Sequence, residues 1–268
     1  MQKVILITGA TDGIGFVTAT MLVEQGHHVI VHGRNPAKIE QAVAKLSALS
    51  ADAQVESIAA DLSDLKSVSD MIAEVCERFG KIDVLINNAG VYSTPHTITK
   101  EGLDVRFVVN TLAPYYLTKE LLPLLGETGR VVNLSSAAQA PVNLAALDGE
   151  KTLGDGDAYA QSKLALTMWS RALGLANQSR GPMIVSVNPK SFLGSKMVKD
   201  AYGIAGGDLR LGADILVRAA LSDEFADAHG KYYDNDIESF ATPHPQALDQ
   251  DKVKQVIASI ENLILRLS

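Results

Sequence analysis

A tyrosine and a lysine four positions apart, in Tyr159-Ala160-Gln161-Ser162-Lys163, are the residues with the clearest capacity for chemistry. On a helix they share one face, one turn apart. A phenol with an ordinary pKa of about 10 is a poor base at neutral pH. A nearby ammonium favours the phenolate and lowers that pKa, so the pair could move a proton near neutrality. The spacing alone is common, and an amphipathic surface pair is the plain alternative. A second hydroxyl candidate stands in Asn133-Leu134-Ser135-Ser136, at the end of a predicted strand. Ser136 there could donate to a carbonyl oxygen and stabilise the charge that develops on it, or could serve only a strand-end turn or helix cap.

Four further segments suit a phosphate-bearing, flat ligand. Thr8-Gly9-Ala10-Thr11-Asp12-Gly13-Ile14-Gly15 follows the first predicted strand and opens the first helix. Glycines let the backbone turn tightly and approach a pyrophosphate, and the helix N-terminus offers free N–H groups. The second predicted strand ends in Val31-His32-Gly33-Arg34-Asn35. A carboxylate here would bind a ribose 2′-hydroxyl, whereas the guanidinium of Arg34 suits a 2′-phosphate. His32 reads as a packing residue. Asp61-Leu62 and Asn87-Asn88-Ala89-Gly90 end the third and fourth strands. The small residues of the latter let a cofactor lie against the backbone. Asp61 fits an adenine contact and a helix N-cap equally, with Ser63 and Asp64 as rival caps.

These segments need a scaffold that brings strand ends together. Short, nearly all-apolar runs at 3–8, 28–32, 54–59, 82–86, 129–135 and 182–187 predict strands buried on both faces. Helical patterns at 14–26, 36–49, 64–79, 101–125, 157–177 and 208–221 alternate with them. A weaker strand is expected at 231–233, and an amphipathic helix at 249–267. Such alternation predicts one Rossmann-type α/β domain over 1–268, a doubly wound parallel sheet with helices on both faces. Irregular stretches at 137–156 and 190–207 follow strands and are the expected substrate walls. The chain has 268 residues, 47% hydrophobic, with a net charge of -7. That balance argues against nucleic acid or an anionic membrane as main partner. No run approaches the ~20 apolar residues of a spanning helix. One cysteine, Cys76, and six scattered histidines suggest neither disulfide nor metal site. A soluble cytoplasmic protein is expected.

Taken in order, T-G-x-x-x-G-x-G, N-N-A-G, S-S and Y-x-x-x-K resemble the short-chain dehydrogenase/reductase family from Lys3 to about Asp234. The resemblance implies a tetrad. Asn110 would hold a water in a proton relay and Ser136 would polarise the carbonyl. Tyr159 would be the acid/base. Lys163 would lower its pKa and bind the nicotinamide ribose. It implies cofactor contacts at Gly9, Thr11, Asp12, Gly13, Ile14, Gly15, Arg34, Asn35, Asp61, Leu62, Asn88, Ala89 and Gly90, and at Pro189. Gly33-Arg34 resembles the pattern preferring NADP(H) over NAD(H). Lys100-Glu101-Gly102-Leu103-Asp104-Val105-Arg106-Phe107-Val108-Val109-Asn110-Thr111-Leu112, and the 23 positions from Ser136 to Tyr159, are similar to the retinol dehydrogenase and WW-domain oxidoreductase branch. An insertion over roughly 139–156 is expected as a flap beside the substrate. No WW domain or membrane anchor is seen, so retinoid specificity is not implied.

The chain departs from the family twice. Pro189-Lys190 stands where Pro-Gly is usual, and a lysine with positive φ would be strained. Either the loop takes another path or Lys190 reaches toward the cofactor phosphates. Ser195 sits one place beyond the usual carboxamide-binding threonine and is its expected substitute. The resulting expectation is an NADP(H)-dependent oxidoreductase interconverting a carbonyl and an alcohol. Phe192, Leu193, Met197, Val198 and Tyr202 suggest a hydrophobic small-molecule substrate. A non-catalytic NADP(H)-binding sensor or scaffold is the alternative, and a lyase or epimerase fits the motifs less well. The resemblance also implies pairing through the helices at 101–125 and 157–177, as a homodimer or homotetramer.

Overall fold

A computed structural model describes residues 1–268. Its centre is one eight-stranded sheet in the order β3-β2-β1-β4-β5-β6-β7-β8. The strands are β1 (Val4–Ile7), β2 (His28–Gly33), β3 (Val55–Ala59), β4 (Val84–Asn87), β5 (Arg130–Leu134), β6 (Met183–Asn188), β7 (Tyr232–Asp234) and β8 (Ser239–Ala241). Neighbouring strands pair in parallel except β7 with β8, a terminal antiparallel hairpin that the sequence pattern did not reveal. The order reverses between β1 and β4. At such a switch point the loops splay apart and leave a crevice at the carboxyl ends of the strands.

Helices cover both faces. They are α1 (Gly13–Glu24), α2 (Pro36–Ser47), α3 (Leu65–Arg78), α4 (Val105–Phe107), α5 (Ala113–Leu125), α6 (Leu144–Leu147), α7 (Asp155–Ala176), α8 (Lys196–Tyr202), α9 (Leu209–Leu221), α10 (Pro245–Leu248) and α11 (Gln250–Leu267). Leu6, Ile30 and Leu85 pack on the side of α3, α5, α7 and α11. Ile5, Ile7, Val29 and Val31 pack on the other side, under α1 and α9. Alternate residues of each strand thus feed opposite cores, which explains the continuous apolar runs.

Three expectations change. The helix expected from 101 begins at Val105, because Gly102 takes φ +83° and the Asp104 carboxylate caps Arg106 N–H at 2.9 Å. Between α4 and α5, residues Val108–Leu112 form a π-helical turn, a wider coil that inserts one residue and turns Asn110 inward. The insertion at 139–156 is less a free flap than a tied segment. Val142 N–H donates to Gln246 Oε1 and Asn143 N–H to Gln161 Oε1, both at 2.9 Å, while α6 buries Ala146 and Leu147. The segment is held against α7 and the C-terminal helices, and only its start lies beside Ser136.

Candidate active site

Thr8 ends β1 and ties the glycine turn to β4. Its hydroxyl accepts from the N–H groups of Asn88 and Ala89, each at 3.0 Å. The Asn88 amide returns bonds to the carbonyls of Thr8 and Gly9 at 2.8 and 3.0 Å. Gly9 has φ +65°, and a Cβ there would stand 2.9 Å from Ala89 Cα. A Cβ on Gly15 would meet Asn88 Nδ2 and the Gly9 carbonyl at 2.4 Å. Only glycine permits this packing. Gly13, with φ +57°, faces open space, so backbone forms the floor of the crevice. Asp12 and Asn35 cap α1 and α2, accepting from Gly13 N–H and Lys38 N–H. Their carboxylate and amide therefore have structural partners within the chain.

His32 is more than a packing residue. Its Nδ1 accepts Gly9 N–H at 3.2 Å and its Nε2 lies 3.1 Å from the Ala60 carbonyl, bridging the ends of β1 and β3 across β2. Accepting at Nδ1 places the ring proton on Nε2. Burial pushes its pKa down to about 4, against smaller opposing effects of the Ala60 carbonyl and Asp61. Arg34 lies exposed at the end of β2. Arg78, Arg106 and Arg218 are the arginines engaged in ion pairs, and Arg34 is not among them. The cap of α3 is Asp64, which accepts from Lys66 N–H, while Asp61 accepts from Ser63. Of the two readings of Asp61, the capping one is thereby excluded. Leu62 is buried beneath it.

Around Tyr159, the two serines separate. Ser135 is 3% exposed, turned inward to Thr167 Oγ1 at 2.7 Å. Ser136 is half-buried, and its hydroxyl accepts from Ala138 N–H at 3.1 Å, the strand-end turn expected of it, while lying near enough to the Tyr159 phenol to act on its pKa. Tyr159 retains some open surface, yet burial pushes its pKa up to about 12, with the nearby Ser136 hydroxyl acting against the shift. Lys163, 3% exposed, has its ammonium 5.7 Å from the Tyr159 ring centroid and donates to the Leu134 carbonyl at 2.7 Å. Burial brings its pKa down to about 8. The ammonium does not bring the expected lowering of the phenol pKa; burial raises the phenol and lowers the ammonium. Asn110, fully buried, accepts from Val91 N–H at 2.8 Å and donates to the Val91 carbonyl and Ser162 Oγ, each at 3.0 Å. Gly90 faces both Asn110 and Lys163: a Cβ there would lie 3.4 Å from Asn110 Oδ1 and 3.5 Å from Lys163 Nζ.

The outer wall is aromatic. The Tyr92 ring packs, tilted, with its centroid 5.0 Å from that of Tyr159 and 5.8 Å from that of Tyr202, whose ring lies 5.4 Å from Phe192. Phe192 and Tyr202 are 55% and 51% exposed, a concentration of apolar surface beside the phenol. The departure after β6 is resolved differently from both expectations. Lys190 keeps φ 118°, and its ammonium turns to the Asn235 carbonyl at 3.4 Å and toward Glu238, not to the glycine turn. The turn after β7 holds this loop. Asp236 accepts from Ser191 N–H and Asn188 Nδ2, each at 2.9 Å, and Asn235 Nδ2 donates to the Pro189 carbonyl at 3.0 Å. Ser195 caps α8, accepting Val198 N–H at 3.3 Å. Sequence reasoning missed Thr8, the bridge made by His32, and Tyr92. Thr8 and Tyr92 adjoin motifs that it used, but nothing in their spacing reveals their partners.

A family model described as short chain dehydrogenase matches residues 3–202. The chain belongs to that family. It is also 29% identical to retinol dehydrogenase 13 of Homo sapiens, covering 98% of this chain and 84% of that protein. Identity to retinol dehydrogenase 12 of Mus musculus is 33%, over 86% and 77% of the two chains. Among solved structures, an uncharacterised protein from Mycobacterium Paratuberculosis matches with TM-score 0.78 and 28% identity, over 98% of this chain and 93% of that one. A short chain dehydrogenase from Burkholderia cenocepacia in complex with NADP matches with TM-score 0.70 and 25% identity, over 87% and 95%. The chain is thus an oxidoreductase of the short-chain dehydrogenase family, similar to its retinol dehydrogenase branch. No helix is long and apolar enough to cross a membrane.

Proposed function

We propose that the protein interconverts an aldehyde or ketone and an alcohol, with NADP(H) as hydride donor or acceptor and Tyr159 as the acid/base. The observation that carries this reading is the Tyr159 phenol, with the Lys163 ammonium 5.7 Å from its ring and Ser136 nearby, beside a backbone-floored crevice. The residues fit a dinucleotide. Gly9, Thr11, Gly13, Ile14 and Gly15 would form the pyrophosphate cradle, with Arg34 placed for a 2′-phosphate. Asp61, Leu62, Asn88, Ala89 and Gly90 would line its path, and Asp12, Asn35, Pro189 and Ser195 would offer backbone or side-chain contacts at its margins. Bound nicotinamide supplies or accepts the hydride.

The chain's own residues handle orientation and the proton. Ser136 and Tyr159 receive the substrate oxygen between them, and Tyr159, protonated at neutral pH, donates to it during reduction. Lys163 holds positive charge beneath the phenol, and Asn110 supports the relay that restores the proton. Exposed Phe192 and Tyr202 favour a hydrophobic substrate. The reading treats residues 1–268 as one nucleotide-binding domain working in the cytoplasm, with 137–156 and 190–207 as its substrate-side loops.

Purified protein should oxidise NADPH with members of an aldehyde and ketone panel, and Tyr159→Phe should abolish this. Turnover that survives the substitution would remove Tyr159 from its role. NADPH binding without turnover by the unmodified protein would favour the sensor alternative. Arg34→Ala should weaken NADPH about tenfold, about 1.4 kcal/mol, with little change for NADH. Tighter binding of NADH by the unmodified protein would overturn the cofactor preference.

A further inference from the structure

Arg106 is a buried cation that the reaction as proposed does not use. Only 1% of its side chain is exposed. Its Nε and Nη2 grip both oxygens of Asp104 at 2.8 and 2.6 Å, a two-point guanidinium–carboxylate pair. Its Nη1 donates to Asp155 Oδ1 and lies 3.5 Å from the Tyr92 carbonyl. Ser93 Oγ donates to the other Asp155 oxygen at 3.3 Å. One guanidinium therefore joins the start of α4, the first turn of α7 and the segment just beyond Asn88-Ala89-Gly90.

Arg106 lies four residues before Asn110, and Asp155 lies four before Tyr159. On α7 that spacing puts Asp155 and Tyr159 on one face, while Arg106 precedes the π-helical turn that carries Asn110. The ion cluster thus sits about one turn above Tyr159. A second tie joins the same helices lower down, where Asn110 Nδ2 and Thr111 Oγ1 bond Ser162 Oγ and the Ser162 carbonyl. The first turn of α7 has no capping side chain at Gly154, and the Arg106 cluster is what links it to α4 and the Tyr92–Ser93 segment. The adjacent Tyr92 ring, packed against Tyr159 at a tilt of 54°, belongs to the segment that Arg106 holds.

We propose that Arg106 is a positioning residue: through Asp155 and the Tyr92–Ser93 backbone it fixes the first turns of α7, and so the Tyr159 ring, relative to Asn110 and the substrate wall. The proposal rests on the reading of Tyr159 as the acid/base. Removing Arg106 would leave a buried carboxylate and threaten folding. The informative variant is Asp155→Asn, because that side chain is 46% exposed and its loss leaves the Arg106–Asp104 pair intact. Asp157→Asn is the control. It removes the other acid of the same helical turn, and so an equal share of any favourable effect of negative charge there, without touching Arg106.

Two readouts separate the possibilities. In hydrogen exchange, Asp155→Asn should speed exchange of amides at 91–93 and 156–160, while Asp157→Asn should leave 91–93 unchanged. In NADPH-dependent reduction, Asp155→Asn should lower kcat about ten- to hundredfold, the scale of small misplacements at a reacting centre, with NADPH Kd within about twofold. Asp155→Glu should recover part of it. Equal behaviour of the two Asn variants, or faster exchange with unchanged kcat, would overturn the positioning role. Absence of turnover in the unmodified protein would defeat the acid/base reading instead, and the exchange arm would still decide whether the clamp exists.

Discussion

At the scale of single residues, His32 shows how a strand-end side chain comes to matter. Both ring nitrogens are satisfied by backbone, and the ring is 3% exposed. Protonating Nδ1 would break its bond to Gly9 N–H. The unfolded chain takes up this proton near pH 6.5, whereas the folded chain resists it until about 4. The unfolded state therefore binds more protons in that window, and stability falls as pH drops from 6.5 toward 4. The full effect is on the order of 3 kcal/mol, from 1.36 kcal/mol per unit. In urea titrations, His32→Gln should flatten that part of the stability profile. Parallel profiles for the two proteins would show that His32 contributes nothing to acid sensitivity. The same residue holds the glycine turn, so acid should also weaken NADPH binding in the unmodified protein.

At the scale of elements, the loop after β6 stores strain. Lys190 and Phe192, with φ of 118° and 53°, are non-glycine residues in the left-handed half of backbone space. Such conformations cost of order 1–3 kcal/mol each and persist only where the surroundings enforce them. The enforcing contacts come from the turn after β7, where Asn235 and Asp236 bond Pro189, Ser191 and Asn188. Lys190→Gly should raise stability by about 1 kcal/mol, measured from the denaturation midpoint, because glycine adopts positive φ freely. Lys190→Ala keeps the strain and should give no gain. If both variants behave alike, the lysine side chain and not the backbone decides the energetics there.

At the scale of the whole molecule, α11 changes what surfaces remain. Residues 161–170 of α7 are all buried, nearly three turns with no face left open. α11 buries Val256, Ile260 and Leu263 in the same core as Trp169 and Leu166. Tyr115 of α5 donates to Glu261 Oε1 at 2.7 Å, and Lys119 pairs with the same carboxylate. The helices expected to pair two copies are thus largely occupied within one chain. Light scattering after size exclusion should give a monomer near 28.5 kDa. A stable dimer would require another interface, and cross-links between α7 helices of two copies would contradict the arrangement seen here.

The alternation of elements, the parallel sheet, the strand ends that carry Gly9, Arg34, Asn88 and Ser136, and the helix that carries Tyr159 are all legible along the chain. They are legible because local backbone preference and apolar periodicity are written along it. The segments matching known families are local for the same reason. The tertiary structure turns Ser135 inward to Thr167 and leaves Ser136, the serine picked out by the resemblance, half-buried, since neighbouring residues at a strand end point to opposite sides. It also decided that Asp64, not Asp61, caps α3, and that the insertion at 139–156 is tied to α10 and α7. The bonds of His32 to Gly9 and of Arg106 to Asp155 span 23 and 49 residues. No short-range pattern encodes such contacts. The pKa shifts of Tyr159 and Lys163 belong to the same class, because they follow from burial, which spacing cannot report.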